Sequence, residues 1–210
     1  MGIEYFHPDH KKLVHMAKFA CEGVNTSGDS FYERVTKNSC AIFSDGRIKL
    51  ENNSRGAYFE IVLFDGIAAS AKGDTSRIKT GVRDSRPNRN AEVDFIVSGC
   101  GRRMDMAAGI HAKTSLRERW RQPDRDTLVI KSNKDTRELM LSDLCDLEAE
   151  IKFWLLGYKE YDENTPSEAV RAFRNKQEKF AGIEGKNVFS VYDAEAMKRL
   201  EQFIRGEYGE

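Results

Sequence analysis

The sequence is 210 residues long, 40% hydrophobic and 32% charged, enough apolar material for one core and too much for a disordered chain. No apolar run approaches the ~20 residues that a membrane helix needs, and the first eight residues lack the basic-then-apolar order of a secretion signal. The 34 basic and 34 acidic residues cancel, but unevenly. Residues 72–125 hold 13 Lys and Arg against 7 Asp and Glu, a balance of +6 between flanks at −1 and −5. Such a basic middle suits a polyanion partner, although the same charges also serve to solvate loops. Cys21, Cys40, Cys100 and Cys145 lie far apart without a CxxC pair. That spacing argues against a zinc ribbon or a disulfide framework and makes a reducing cytoplasm the expected compartment.

Along the chain, His10 to Cys21 reads as a short amphipathic helix with Leu13, Val14, Ala17 and Ala20 as its apolar stripe. Cys40 to Phe43 and Arg47 to Leu50 flank Ser44-Asp45-Gly46 and read as a β-hairpin, because Asp-Gly supplies the positive φ of a tight turn. Ser54 to Ala71 reads as a helix: Phe59, Val62, Leu63, Ile67 and Ala71 recur at helical spacing after a polar Asn-Asn-Ser start. The polar stretch 72–90 reads as a loop or an irregular hairpin. Val93, Phe95 and Val97 mark Ala91 to Ser98 as a strand, Gly99-Cys100-Gly101 turns the chain, and Ala108 to Lys113 returns it. Ser115-Leu116-Arg117-Glu118 fits a capping box that opens a helix, which Pro123 stops or bends. Beyond it the pattern predicts a strand at Leu128 to Lys131 and helices at Thr136 to Leu156 and Ser167 to Ala181. A strand at Asn187 to Tyr192 and a helix at Ala194 to Arg205 complete it. Mixed strands and helices at this length predict an α/β or α+β fold.

Three polar residues occupy positions where a core element prefers apolar ones. Glu60 has Gly56, Ala57, Leu63 and Phe64 as its helical neighbours, Asp94 interrupts an apolar strand, and Lys113 ends the next one. Singly, each is explained by a strand end or a partly exposed helix position. Together, two carboxylates and a lysine can hold a divalent cation and a phosphate: carboxylates take the hard cation, and lysine neutralises phosphate charge or helps activate water.

A helix acid, a strand acid and a lysine ending the hairpin partner, in that order, resemble the PD-(D/E)xK nucleases. The run His111-Ala112-Lys113-Thr114-Ser115-Leu116-Arg117-Glu118-Arg119-Trp120-Arg121-Gln122 is similar to the catalytic-lysine segment of type II restriction endonucleases, closest to the group whose sites contain CC:GG. In that group the lysine is followed by Thr, an Arg-acid-Arg-Trp cluster, and an acid thirteen residues on, which here is Asp126. Upstream, Ser54 to Glu60 resembles the Arg-x-Gly helix that carries the first acid, and Asn88 to Phe95 the strand with the metal-binding Asp. The likeness spans about 54–126. It departs from the family at Val93, where the family has Pro, and at His111, where the commoner pattern has Asp or Glu. Asp126 is a methylene shorter than the usual Glu, and with Pro123 nearby Asp124 competes for its place. His111 itself reads as facing solvent or a neighbour rather than metal.

The resemblance implies a restriction-endonuclease-like mixed central sheet flanked by helices, in one domain over 1–210. Its catalytic core would be about 54–131, with 1–53 and the helix-rich 132–210 as additions. It implies a Mg²⁺-dependent, site-specific deoxyribonuclease acting on double-stranded DNA as a cytoplasmic homodimer, with no membrane partner. A cognate methyltransferase would belong to the same system without being a physical partner. Asp94 and Asp126 would bind metal, with Glu60 and Lys113 completing the catalytic set. Arg117, Glu118, Arg119 and Arg121 would contact DNA, the arginines at guanine and Glu118 at cytosine; alternatively Glu118 only caps its helix and the arginines form a solvated face. Arg77, Arg83, Arg86, Arg89, Arg102 and Arg103 are the candidates for phosphate contacts. Two further readings stand beside this one: a repair or defence nuclease of the same fold directed by structure or modification, and a catalytically silent DNA-binding module.

Overall fold

A computed structural model describes residues 11–50, 54–83, 92–114, 150–157, 186–190 and 192–207. The described elements are α1 (Lys11–Ala20), α2 (Phe31–Phe43), α3 (Arg55–Ser70), a one-turn 3-10 helix (Thr75–Arg77), β1 (Ile78–Arg83), β2 (Glu92–Cys100), β3 (Met106–Lys113), β4 (Glu150–Gly157), β5 (Lys186–Ser190) and α4 (Ala194–Arg205). The strands form one mixed sheet in the order β1-β2-β3-β4-β5. β1, β2 and β3 pair antiparallel, whereas β4 pairs parallel with β3 and β5 parallel with β4. Helices together with a mixed sheet make this an α+β fold.

Strand alternation divides the sheet into two faces. Phe95 pairs with Ile110 and Val97 with Ala108, and Ile110 pairs onward with Trp154, so these residues share one face. All five are buried, and α3 and α4 cover them. The Phe64 ring of α3 lies 6.4 Å from that of Phe95, and Phe203 of α4 lies 5.0 Å from Trp154. The opposite face is also withdrawn from water, since Ile96, Ala107 and His111 are buried. One continuous cluster of buried apolar residues runs from Val14 of α1 to Ile204 of α4. The described parts of 1–53 and 132–210 therefore share the core of 54–113 rather than sitting beside it.

α3 is the element at the centre of this core. Tyr58, Phe59, Ile61, Val62, Leu63, Phe64 and Ile67 are buried on every side of the helix, which is the pattern of a helix enclosed by other elements. α2 crosses it closely: a Cβ on Gly66 would stand 2.5 Å from the Phe31 ring. The crossing also carries charge. The Asp65 carboxylate, 2% exposed, accepts hydrogen bonds from Arg34 Nη1 at 3.2 Å and Asn38 Nδ2 at 2.9 Å, while Arg34 Nη2 donates to the Thr26 carbonyl at 2.7 Å.

Most elements match the sequence reading, and two do not. The hairpin expected around Asp45-Gly46 is absent: Cys40 to Phe43 is the last turn of α2, and Arg47 to Leu50 is not a strand. Gly46 does adopt the positive φ expected of it, at +66°, but in the turn that leaves a helix. α2 begins with a capping box in which Ser30 Oγ accepts from the Glu33 N–H and the Glu33 carboxylate accepts from the Ser30 N–H. The helix expected through Leu156 is also corrected. Residues 150–157 form β4, an interior strand paired on both sides, to which aromatic and β-branched residue types (Ile151, Phe153, Trp154) are well suited. The described part of the stretch 72–90 holds the one-turn helix and β1, which pairs with β2 beyond it; 84–90, and with them the choice between loop and irregular hairpin, lie outside the described residues. The expected elements at 115–131 and 167–181, and 136–149 of the long helix, lie outside the described residues. Cys21, Cys40 and Cys100 are free thiols; Cys145 lies outside the described residues.

The buried ion pair gives a stability prediction. Asp65→Ala leaves Arg34 charged and unpaired between α2 and α3, and should cost about 3–5 kcal/mol in urea unfolding. Asp29→Ala removes the surface pair with Lys37 (2.8 Å, Lys37 side chain 47% exposed) and should cost less than about 1 kcal/mol. Similar losses in the two variants would deny the buried pair its role.

Candidate functional site

β2 and β3 do not stay together along their whole length. Their pairing runs from Cys100–Met106 at the turn to Phe95–Ile110 and goes no further. Past that point β2 remains with β1, through Val93–Val82 and Glu92–Arg83, while β3 remains with β4, through His111–Leu155, Ala112–Leu156 and Lys113–Gly157. The sheet thus opens into a fork between its second and third strands, at the carboxyl ends of β3, β4 and β5. In open α/β sheets, crevices outside the carboxyl ends of strands are where ligands bind.

Asp94 stands at the root of the fork. Its Oδ2 accepts a hydrogen bond from the Ala112 N–H at 2.7 Å, the donor that β2 main chain would otherwise have paired. The side chain is half-buried. His111 comes at the same level of β3, one residue beyond the last pair with β2, and is 3% exposed. It therefore does not face solvent; of its two expected settings, the neighbour is the one found. Lys113 ends β3, two residues beyond His111. On the other flank, Gly81 of β1 lies level with Asp94, between the pairs Thr80–Phe95 and Val82–Val93. It has φ +58° and open space where a Cβ would be.

Glu60 reaches the same end of the sheet from α3. β1 runs from Ile78, which pairs with Val97 near the β2–β3 turn, to Arg83 at the fork. Seven residues join α3 to β1, so α3 runs the opposite way and its first turns lie toward the fork. Glu60 is one turn, about 6 Å, nearer to that end than Phe64, which packs on Phe95. It is half-buried, in keeping with its expected place at the rim of the apolar face. Asp94 and Lys113 belong to interior strands and lie at their ends, not on edge strands.

The remaining candidates divide clearly. Asp124, Asp126, Arg117, Glu118, Arg119 and Arg121 lie outside the described residues, as do Arg86 and Arg89. Arg77 is taken up structurally: its Nε donates to the Ser98 carbonyl at 2.9 Å, and its Nη2 to the carbonyls of Gly99 and, at 2.8 Å, Ile204. It ties the β2–β3 turn to the carboxyl end of α4, where a cation meets the negative end of the helix dipole. Arg102 and Arg103 are exposed in that turn, about 20 Å along the strands from Asp94. The sequence reading missed Gly81 and the Ala112 N–H. An isolated glycine within the run Ile78–Arg83 is the signal that pointed to the first, since glycine inside a strand marks an irregularity or a close approach.

Asp94 and Glu60 each offer the hard oxygen donors that Mg²⁺ takes, but α3 with Glu60 covers the Phe95 face of the sheet, and alternation puts Asp94 on the opposite face. Among the described residues, no three His, Cys, Asp or Glu side chains gather closely enough to hold a metal. The buried thiols offer no alternative nucleophile: burial pushes Cys21 up to about 12 and Cys100 to about 11, so both are protonated at neutral pH. No helix among the described residues is long and apolar enough to cross a membrane. No protein family, curated protein or solved structure matches the chain.

The anchoring bond is directly testable. Asp94→Ala should leave the Ala112 N–H without its acceptor, accelerate its hydrogen exchange at least tenfold and cost about 1–3 kcal/mol of stability. Asp94→Asn keeps a carbonyl oxygen in place and should protect that amide nearly as well as the parent. Unchanged exchange at Ala112 in the alanine variant would show that the fork is held open by something else.

Proposed function

We propose that this chain is a Mg²⁺-dependent, sequence-specific endonuclease of double-stranded DNA, of the restriction type and with a restriction-endonuclease-like fold. The reading is carried by the fork: an anchored carboxylate, Asp94, on one arm, and Lys113 at the end of the other, with the helix that bears Glu60 arriving at the same end. The mixed sheet supports it as well, because a strand acid and a lysine on antiparallel neighbours is the order by which the sequence resembles these nucleases.

In this mechanism Asp94 and Asp126, with Glu60 directly or through water, would hold the cation. A bound Mg²⁺ supplies Lewis-acid activation of water and neutralises charge on the phosphate. The Ala112 N–H fixes the Asp94 carboxylate, so one donor is positioned before substrate arrives. Lys113 offsets the charge that grows on the phosphate oxygens as the bond from water to phosphorus forms and the bond to the leaving sugar oxygen breaks. The proton of the attacking water passes to solvent. A palindromic site cut on both strands is met by a C₂ homodimer in the cytoplasm, one subunit per strand.

Plasmid DNA incubated with the chain and Mg²⁺ should give discrete bands. Lys113→Ala and Asp94→Asn should each lower cleavage by ~10²–10³ or more while leaving the fold intact. Cleavage by either variant at the parent rate sinks the assignment. Smearing or nicking in place of bands supports a structure-directed nuclease, and a mobility shift without cleavage a silent binding module. Asp126→Asn should be far more damaging than Asp124→Asn; the reverse order moves the third acid to Asp124.

Base reading follows from the residues after Lys113. Two arginines suit guanine O6 and N7, and a glutamate suits cytosine N4, so each half-site should contain a CC:GG step. Arg119→Ala should lose about 1–3 kcal/mol of discrimination at a single guanine, read by comparing cleavage of sites altered at each base pair. A mapped site without adjacent cytosines removes the base-reading role and leaves the catalytic one standing.

A further inference from the structure

α1 has two unlike sides. Val14, Ala17 and Ala20 are buried against the core, with Leu13 and Met16 packed beside them. At 100° per residue, Lys11, His15, Phe19 and Lys12 fall within one arc of about 100°, and all four are exposed. Phe19 is 56% exposed, one of two large apolar residues so exposed among the described residues. The helix itself contains no acid; Asp9, outside the described residues, precedes it by two residues in the sequence, and Glu22 lies beyond its other end, where Arg47 adds a further cation by donating to the carbonyls of Ala20 and Glu22.

The position of this arc matters as much as its charge. Tyr58 Oη lies 3.5 Å from Met16 Sδ, and Tyr58 is in the first turn of α3, the end that lies toward the fork. The arc is therefore carried at the fork end of the molecule.

We infer that the exposed arc of α1, Lys11, Lys12 and His15 around Phe19, is a contact surface for the phosphate backbone of duplex DNA flanking the fork. The inference rests on the reading of the chain as acting on DNA, but not on cleavage. The lysines meet the phosphates, and the Phe19 ring lies against the sugar edge between them. A lipid surface fits less well. A membrane-surface helix buries its apolar stripe in the bilayer, whereas that of α1 is already spent on the core, leaving a single aromatic outside.

The test is equilibrium binding of a duplex DNA fragment in EDTA, where cleavage cannot intervene, across a salt series. Lys11→Glu/Lys12→Glu should weaken binding at least tenfold near 0.1 M salt and reduce the slope of log affinity against log salt by about 2, with an unchanged melting temperature. Lys11→Arg/Lys12→Arg should bind as the parent does, which a purely structural role for these positions does not require. Affinity and slope within twofold of the parent in the glutamate variant overturn the inference. So does an unchanged DNA affinity accompanied by lost binding to phosphatidylserine vesicles, which reassigns the surface to lipid. If the parent does not bind duplex DNA at all, this inference falls together with the wider reading. If it binds through α1 but does not cut with Mg²⁺, only the nuclease assignment falls.

Discussion

A main-chain N–H drawn out of a β-ladder and away from water must find another acceptor, and the candidate site depends on how this chain meets that demand. β3 needs a partner on each side. Up to Ile110 it has β2 and β4; beyond, it has β4 alone, and the side chain of Asp94 takes the place of the missing strand at Ala112. The carboxylate thereby props the fork. There β2 stays paired with β1 and β3 with β4 through Lys113, so two strands adjacent in the sheet end as separate arms. A Val or Thr at position 94 would suit the strand pattern better but would leave the Ala112 N–H unpaired.

What keeps the arms at a fixed separation lies underneath. α3 is enclosed by α1 and α2 on one side and by the sheet on the other, so its orientation follows from packing around its whole circumference. The close crossing at Gly66 and the buried Asp65–Arg34 pair lock its register against α2. At the far end Arg77 bonds the β2–β3 turn to the end of α4, and the Gly101 N–H donates to the Phe203 carbonyl at 2.8 Å. The hairpin is pinned at its closed end and open at the other. Rigidity is concentrated where no chemistry is proposed, and the freed strand ends are those that carry Asp94 and Lys113.

The sequence made α1, α3, β2, β3 and α4 legible because each follows a single periodicity. Val93, Phe95 and Val97 alternate, and Phe59, Val62, Leu63 and Ile67 recur at helical spacing. It failed where two signals competed. Asp45-Gly46 is a genuine turn signal, but Phe31, Val35, Ala41 and Ile42 had already set a helical face that runs to Phe43, and the turn ends a helix instead of joining strands. Residues 153–156 are an unbroken apolar run, a pattern shared by a helix and a strand; parallel pairing with β3 and β5, invisible in one sequence, decides it. Of the site, Asp94, Lys113 and Glu60 stood out as polar residues in apolar company. The fork did not, because its cause is a side-chain bond to a main-chain N–H eighteen residues away.

Charge counted along the chain also differs from charge placed in space. Residues 72–125 carry the surplus of +6, yet Arg77 is consumed by carbonyls, and Arg102 and Arg103 sit in the turn at the closed end. Residues 1–71 are nearly neutral, yet α1 presents an arc without acids at the fork end, because Asp29 pairs with Lys37 and Asp65 with Arg34 elsewhere in that segment. A segment's net charge is silent about which of its ions are already matched. Under the proposed function this sorting has a physical logic. Cations that neutralise a duplex must flank the place of cleavage, whereas inside the fork a surplus of fixed positive charge would compete with the divalent ion for the same carboxylates. Among the described residues, Lys113 and Arg83 end strands at the fork, whereas Lys11 and Lys12 stand apart from it on the exposed face of α1, so that part of the described charge can meet phosphate without crowding the carboxylates.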